Sequence, residues 1–137
     1  MPEITVSTTV NASIARAWNA FTQPDQITQW NFASPEWCCP TARNDLRVGG
    51  EFSQRMEARD GSVGFDFTGV YTAVEPLERI AYILGDGRRV TVMFEAISGS
   101  QTKVTEGFDP EDINAEELQR GGWNAILENF RKQAETL

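Results

Sequence analysis

The chain has 137 residues, of which 40% are hydrophobic and 23% are charged, and these fractions are close to those of ordinary globular domains. A net charge of −8, without any cluster of lysine and arginine, argues against nucleic acid as a partner. Because the chain contains no histidine, it cannot build a Ser-His-Asp or Cys-His nucleophile system, a histidine-containing zinc site or a histidine pH switch.

The first part of the chain predicts one strand followed by helices. Residues 4–10 alternate apolar and polar side chains, with the period of two that is typical of a half-buried strand. After the capping side chains of residues 11–13, apolar residues recur with helical spacing over residues 14–22. Residues 25–30 could form a second, short helix, and we interpret residues 31–40 as an ordered connection rich in aromatic side chains.

The middle of the chain predicts strands separated by glycine-containing turns. Gly49 and Gly50 supply the positive φ that a tight turn requires, between a strand that ends near Val48 and a strand over residues 51–58. Asp-Gly pairs at residues 60 and 86, Pro76 and Gly99 mark further breaks. The strands bounded by these breaks cover residues 65–71, 79–84, 90–94 and 102–108, so that about seven strands are expected in all.

The C-terminal part predicts one long helix that runs from Asn114 to Thr136. Asn114 and Glu117 have the spacing of a capping box. Two adjacent glycines, at positions 121 and 122, cost roughly 1 kcal/mol each relative to alanine, so we expect close packing of the helix backbone against the sheet. The apolar stripe of the helix consists of Trp123, Ile126, Leu127, Phe130 and Ala134. This order of elements predicts an α+β fold, with a long helix against a strongly bent antiparallel sheet and a space between them.

Five stretches of the sequence carry a resemblance to a known superfamily. They are residues 17–24 with Trp30, residues 45–50, residues 69–80, residues 90–94, and Gly122-Trp123. In order and spacing they are similar to the START-like, or Bet v 1-like (SRPBCC), helix-grip superfamily, in the branch of the C-terminal domain of the Hsp90 ATPase activator. The resemblance implies one domain over residues 1–137 that encloses a cavity. Because this fold hosts carriers, receptors, cyclases and co-chaperones, the resemblance implies a cavity more firmly than a chemistry.

The implied cavity gives a set of candidate ligand-binding residues. By the resemblance, Trp30, Phe32 and Trp37 lie in the connection that closes one end of the cavity, where they could stack on a flat ligand. Trp123 lies on the helix face that looks toward the sheet, and Met56 could belong to an adaptable wall. The other apolar candidates are Phe65, Phe67, Met93 and Phe108. For each of these residues, ordinary core packing is the competing interpretation.

Two polar residues are predicted to point into the same space. Glu106 lies between Val104 and Phe108 on one face of its strand, and Gln54 lies on the apolar face of another strand. Burial of Glu106 would raise its pKa toward the range of a general acid or base. The alternative is a carboxylate that pairs with Arg47 or a lysine, or that reaches solvent at the end of the sheet.

A buried carboxylate without partners is costly, so a hydrogen-bond donor is expected near Glu106. Gln54 and the indole N–H groups of Trp37 and Trp123 are the candidates for this donor.

The two cysteines are adjacent, and a disulfide between Cys38 and its neighbour would be strained, so reduced thiols are expected. Close relatives usually have histidine in place of Cys38, and any role that depends on that histidine would be lost here. Cys38 could make a weak polar contact with a ligand. Because no cationic group near it is evident, an inert buried thiol is the favoured interpretation.

Three classes of function are compatible with these features. The first is binding or carriage of a small aromatic or lipid-like molecule, the second is a cyclase-like or hydrolase-like reaction with Glu106 as acid or base, and the third is a co-chaperone-like protein interaction. No metal or cofactor is expected, and the sequence leaves a homodimer open. No apolar run approaches the roughly 20 residues that a membrane helix needs, and the first ten residues lack the features of a signal peptide, so we expect a cytoplasmic protein.

Overall fold

The elements of secondary structure follow the order predicted from the sequence. The structure, a computed structural model, describes residues 3–136. Within them the elements are β1 (Ile4–Val10), α1 (Ile14–Thr22), α2 (Pro24–Ile27), β2 (Trp37–Cys38), β3 (Ala42–Asn44), β4 (Glu51–Ala58), β5 (Gly64–Glu75), β6 (Arg79–Leu84), β7 (Arg89–Ser98), β8 (Gln101–Phe108) and α3 (Glu116–Thr136). The short β2 and β3 replace the single strand that was expected to end near Val48, so the described sheet has eight strands.

All strands pair antiparallel in one sheet, in the order β1-β8-β7-β6-β5-β4-β2, and β3 also pairs with β4. The register shifts between Tyr71 and Ala73 in β5, and between Ala96 and Ser98 in β7. Because such irregularities bend a strand and increase its twist, they help the sheet to curl. The long helix α3 packs against β1 and α1 on the concave side. The architecture is the α+β helix-grip fold that the sequence predicts.

The long helix divides into a packed half and an open half. Leu127, Phe130 and Ala134, in its C-terminal half, are buried in the main hydrophobic core. Trp123 and Ile126, one to two turns earlier, are only half-buried and line an open space. The predicted apolar stripe therefore packs into the hydrophobic core at its C-terminal end and faces a cavity at its N-terminal end. The cavity lies under the N-terminal half of α3.

The expectations about caps, turns and glycines are confirmed only in part. Ser13 caps α1, because its side-chain oxygen accepts a hydrogen bond from the backbone N–H of Arg16. The positive φ expected at the glycine pair is found at Gly49, where it is +83°, and not at Gly50. The capping box at α3 is wrong: the amide of Asn114 donates to the Glu111 carboxylate instead.

The predicted close packing at Gly121 and Gly122 is also wrong. A Cβ atom built at either position would meet no atom within 4 Å outside the local helix. The two glycines therefore do not bring the helix backbone closer to the sheet. They lie on a stretch of α3 with open space around it.

Candidate functional site

A cavity of about 310 Å³ lies between the concave face of the sheet and the N-terminal half of α3. Its walls come from β4, β5, β6 and β8, from α3, and from the region of α1 and α2. Most of the large lining side chains are aromatic: Phe21, Trp30, Phe52, Phe65, Phe67, Tyr71, Tyr82 and Trp123. Such walls bury apolar ligand surface and leave orientation to the few polar groups among them.

Glu106 points into this cavity because of its position in β8. Val104 and Phe108, two residues away on either side, are fully buried, whereas Lys103 is exposed on the outer face. The neighbouring strands place Val92 and Val6 opposite Glu106. The Glu106 residue is only 5% exposed, so its carboxyl group lies among apolar side chains. The strand alternation predicted this face of the sheet correctly.

The Glu106 carboxyl has no hydrogen-bond or ion-pair partner within residues 3–136. Burial raises its pKa to about 8, and neither a hydrogen bond nor a nearby charge contributes to that shift. Its oxygen atoms are open to the cavity, since the described residues contain no fully enclosed side-chain oxygen or nitrogen without a hydrogen bond. A buried, unpaired acid is thus presented to whatever occupies the space.

The partners expected for this carboxyl form no bond to it. Arg47 forms an exposed ion pair with Asp45, with 3.0 Å between Nε and Oδ2. Trp123 stacks on Phe108 with 4.0 Å between ring centroids. Gln54 accepts a hydrogen bond from Asn31. None of the expected donors forms a hydrogen bond with Glu106, so that expectation is wrong.

Two tyrosines that the sequence analysis did not select complete the polar part of the wall. Tyr82 is buried, and its pKa is raised well above the ordinary value first by burial and then by the charges of Glu106 and Tyr71. Tyr71 donates its hydroxyl hydrogen to the Asn44 side chain, and burial raises its pKa too. Both phenols therefore stay neutral over the physiological pH range. The alternation of Tyr82 with two buried apolar residues, Ile80 and Leu84, was the signal that could have placed it inside.

A second polar feature lies on the wall formed by β4 and the end of α2. The Asn31 amide donates to Gln54 Oε1, and both side chains are buried. Trp30, the residue before Asn31, donates its indole N–H to the carbonyl of Ala20 at 2.8 Å. Because that bond satisfies its polar atom, Trp30 offers the cavity only an apolar ring.

Gln119 of α3 fixes the loop at the opening of the cavity by three hydrogen bonds. Gln119 Oε1 accepts the backbone N–H of Glu111 at 2.9 Å, and Gln119 Nε2 donates to the carbonyls of Asn114 at 2.8 Å and Glu111 at 3.2 Å. These bonds tie the loop that precedes α3 to the helix itself. Beside the loop, Leu118 lines the cavity yet is 65% exposed, so it adds an apolar side chain to an otherwise polar opening.

A match to a family model assigns the chain to a protein family. The family model described as "Activator of Hsp90 ATPase homolog 1-like protein" matches residues 11–135. The chain belongs to this AHSA1-like family. The family agrees with the helix-grip superfamily that the sequence resembles.

Solved structures of AHSA1-like and related proteins support the assignment over nearly the whole chain. A solution structure of the AHSA1-like protein from Aeromonas hydrophila is 41% identical, covers 97% of this chain and 93% of that one, and superposes with a TM-score of 0.88. A protein from Cytophaga hutchinsonii is 46% identical over 98% and 92% of the two chains, with a TM-score of 0.83. A Chromobacterium violaceum protein, 22% identical over 98% and 99% of the two chains, shares the fold with a TM-score of 0.86. Among curated proteins, no significant match was found.

The structure of this AHSA1-like chain brings most of the sequence-predicted ligand residues together. Those that line the cavity are Trp30, Gln54, Met56, Phe65, Phe67, Glu106 and Trp123. Phe67 of the sheet faces Trp123 of α3 with 6.5 Å between their ring centroids, so the two principal layers of the fold meet at the site.

Five predicted residues of the AHSA1-like chain do not line the cavity. Met93 is 53% exposed, because its neighbours Val92 and Phe94 take the inner face of β7. Phe108 is fully buried behind Trp123. Neither residue lines the cavity, contrary to the sequence prediction.

The remaining three lie at or near β2. Phe32 is covered by the guanidinium of Arg59, 5.5 Å from its ring centroid. Trp37 packs on the edge of Phe65 at 6.1 Å, outside the cavity wall. Cys38 is half-buried in β2 and also lies outside it.

Other kinds of site find no support in the described part of this AHSA1-like chain. Within residues 3–136, no group of three or more His, Cys, Asp or Glu side chains could hold a metal ion. Cys39 is buried, and burial together with the adjacent Cys38 raises its pKa to about 11, which disfavours the reactive thiolate. No helix in the same range is long and apolar enough to cross a membrane.

Proposed function

We propose that the protein binds or carries a small hydrophobic molecule, aromatic or lipid-like, in the cavity under α3. The observation that carries the proposal is a cavity of about 310 Å³ with aromatic walls and a buried, unpaired carboxyl group. Ligand pockets in proteins typically range from about 300 to 1,000 Å³ and combine apolar walls with a few polar groups. As part of this proposal, the protein acts in the cytoplasm.

The polar groups of the cavity would orient the ligand from two sides. Glu106 is on β8, whereas the bonded pair of Asn31 and Gln54 is on the wall that includes β4. A ligand with one polar end would therefore meet Glu106, while its apolar body lies against rings such as Phe67 and Trp123. Leaving Glu106 without a partner costs free energy in the empty state, so a ligand that supplies one is favoured.

Binding of a hydrophobic dye tests this proposal. The purified protein would be examined by native mass spectrometry for co-purified molecules, and titrated with the neutral dye Nile red. We expect Met56→Trp, which fills part of the cavity, to weaken dye binding several-fold. The matched control is Met93→Trp, which places the same bulk on the exposed outer face and should leave dye binding unchanged. If no molecule co-purifies and the wild-type protein does not bind the dye, the proposal is wrong.

A second candidate function is catalysis of a cyclase-like or hydrolase-like reaction in the same cavity. It is favoured by Glu106, whose pKa of about 8 lies near the range in which a general acid or base works well at neutral pH. The group would donate or accept a proton while the walls hold the substrate in a reactive geometry. Once a substrate is found, turnover that does not change in Glu106→Gln would remove this candidate.

A further inference from the structure

We infer that the ligand of this cavity is an apolar amine, bound as its ammonium ion with an N–H group on the Glu106 carboxylate and its apolar body against the aromatic walls. The inference rests on the proposed function and adds the chemical class of the ligand to it. It is carried by the unpaired carboxyl, which is 5% exposed and open to the cavity, and by the absence of any cation beside it within residues 3–136.

Three charged side chains of the described chain line the cavity, and two of them, Arg88 and Glu111, already have partners. Glu106 is therefore the group that would contact a charged ligand. Arg88 forms an ion pair with Asp86, with 2.7 Å between Nε and Oδ2. Glu111, at the mouth, accepts hydrogen bonds from the backbone and side chain of Asn114. An acidic ligand would therefore face the acidic Glu106, and among residues 3–136 no unpaired cationic side chain lines the cavity to bind it. An ammonium ion, by contrast, would meet the opposite charge on the Glu106 carboxylate.

The elements packed around Glu106 provide no competing partner. The strands beside it contribute Val92 and Val6, and the titratable group that interacts with it is the phenol of Tyr82, which in turn lies beside Tyr71. Both phenols stay neutral, because burial raises the pKa of each. From α3 the cavity receives uncharged side chains, including Trp123. The net charge of −8 adds a field that attracts cations.

The aromatic walls are suited to the same kind of ligand. A cation within about 6 Å of the face of an aromatic ring is attracted to the electron-rich ring, and the attraction grows when water is excluded. Phe52, Phe67 and Tyr82 lie on neighbouring strands of one wall, and Trp123 faces them from α3. An ammonium group in contact with the Glu106 carboxylate would thus share the cavity with several aromatic rings.

Binding of an ammonium ion would release one proton to solvent. Below about pH 8 the free protein holds Glu106 mainly as the neutral acid. The ammonium ion keeps its own protons and stabilises the carboxylate, so the proton of the Glu106 acid leaves to water and no covalent bond to the ligand forms. The affinity should therefore fall roughly tenfold for each pH unit between that value and the lower pKa of Glu106 in the complex.

Three probes with the same apolar body test the inference by calorimetry. They are naphthylmethylamine, the neutral alcohol naphthylmethanol, and the anion of naphthoic acid. Near pH 8 we expect the amine to bind roughly tenfold or more tightly than the alcohol, and the acid to bind weakest. At about pH 6.5, where the acid form predominates, titrations in buffers of different ionisation enthalpy should show release of about one proton per amine bound.

Glu106→Gln keeps the shape of the neutral acid and removes the charge. We expect this variant to lose both the preference for the amine and the proton release. The matched control is Glu95→Gln, which removes an exposed carboxylate from the outer face of β7 and should behave as the wild-type protein. The proton-release measurement on the wild-type protein needs no variant, so it decides the question even if Glu106→Gln folds poorly.

The outcomes separate this inference from the proposed function. If the alcohol or the acid binds as tightly as the amine, or if the amine binds without proton release at about pH 6.5, the amine inference is wrong and ligand binding stands. If none of the three probes binds and Nile red does not bind either, both are wrong.

Discussion

The Glu106 carboxyl and the Tyr82 phenol face the same cavity from strands β8 and β6, with β7 between them. After burial, the negative charge of Glu106 is the largest cause of the raised pKa of Tyr82. Tyr82 does not raise the pKa of Glu106 in return, because the Tyr82 phenol is still neutral at the pH where Glu106 loses its proton. Glu106 is therefore the group whose protonation changes near neutral pH, and the first prediction concerns it.

Glu106 should make the protein less stable as the pH rises. Its pKa is about 8 in the folded protein against an ordinary value of 4.5, so the folded state holds a proton that the unfolded state loses between these values. The free energy of unfolding should therefore fall by at most about 1.4 kcal/mol per pH unit across that window. The glutamine variant of Glu106 should not show this fall, and Glu106→Leu should be as stable as the wild type or more stable.

Urea unfolding of the wild-type protein and Glu106→Gln at several pH values would measure the effect. The difference between their free energies of unfolding should grow steadily from acid to neutral pH. Glu95→Gln serves as the surface control and should follow the wild-type curve. Parallel curves for all three proteins would show that Glu106 is not buried as described.

The glycines of α3 should tolerate alanine. Because a Cβ at Gly121 or Gly122 meets no atom within 4 Å, alanine should stabilise the helix by about 0.5 to 1 kcal/mol at each position. Gly69→Ala is the contrasting variant, since its Cβ would lie 2.6 Å from the Phe52 ring, and it should destabilise the protein. Thermal unfolding would measure both effects. A loss of stability on Gly121→Ala would mean that another surface covers this part of the helix.

The buried pair of Asn31 and Gln54 should behave as a unit. Asn31→Leu leaves Gln54 Oε1 without its donor, and an unsatisfied buried polar atom costs about 1 to 3 kcal/mol. Combining Asn31→Leu with Gln54→Met removes both polar groups, so the double variant should recover much of that loss. Free energies of unfolding from a double-mutant cycle would show the coupling. Simple additivity would indicate that the two side chains do not bond to each other.

The mouth loop should open when Gln119 is removed. Gln119→Ala eliminates the three hydrogen bonds that tie residues 111–114 to α3. Amide hydrogen exchange in the loop should become faster, and a bound dye should dissociate faster. Gln133→Ala is the matched control on the same helix, because Gln133 bonds to Gln26, away from the cavity. Unchanged exchange in Gln119→Ala would show that the loop is held by other contacts.

The order of helices and strands and the inner position of Glu106 were predictable because they depend on local periodicity, whereas the helix-grip fold was implied by the family resemblance. Alternation in β8 places Val104 and Phe108 on the same face as Glu106, and burial confirms it. The same rule excludes Met93 from the cavity, since Val92 and Phe94 occupy the inner face of β7. That error was therefore avoidable from the sequence.

Other features of the site depend on contacts between distant residues and leave no local pattern. The bond between Asn31 and Gln54 joins positions 23 residues apart. At the start of α3, the side chain of Asn114 bonds to Glu111, so a sequence with the spacing of a capping box does not form one. Gln119 looks like an ordinary polar residue of a helix, and only the folded loop shows what it holds.

Titration of the Glu106 carboxyl by carbon-13 NMR, in the free protein and with naphthylmethylamine bound, tests the central claim most directly. The structure predicts a pKa of about 8 in the free protein, and bound amine should lower it by about 2.5 units or more, to about 5.5 or below. Shifts of other signals on amine binding should concentrate on residues of the cavity wall, such as Phe67 and Trp123. An ordinary pKa near 4.5 in the free protein, unchanged by the amine, would contradict the claim that Glu106 is a buried, unpaired acid that binds the ligand in this cavity.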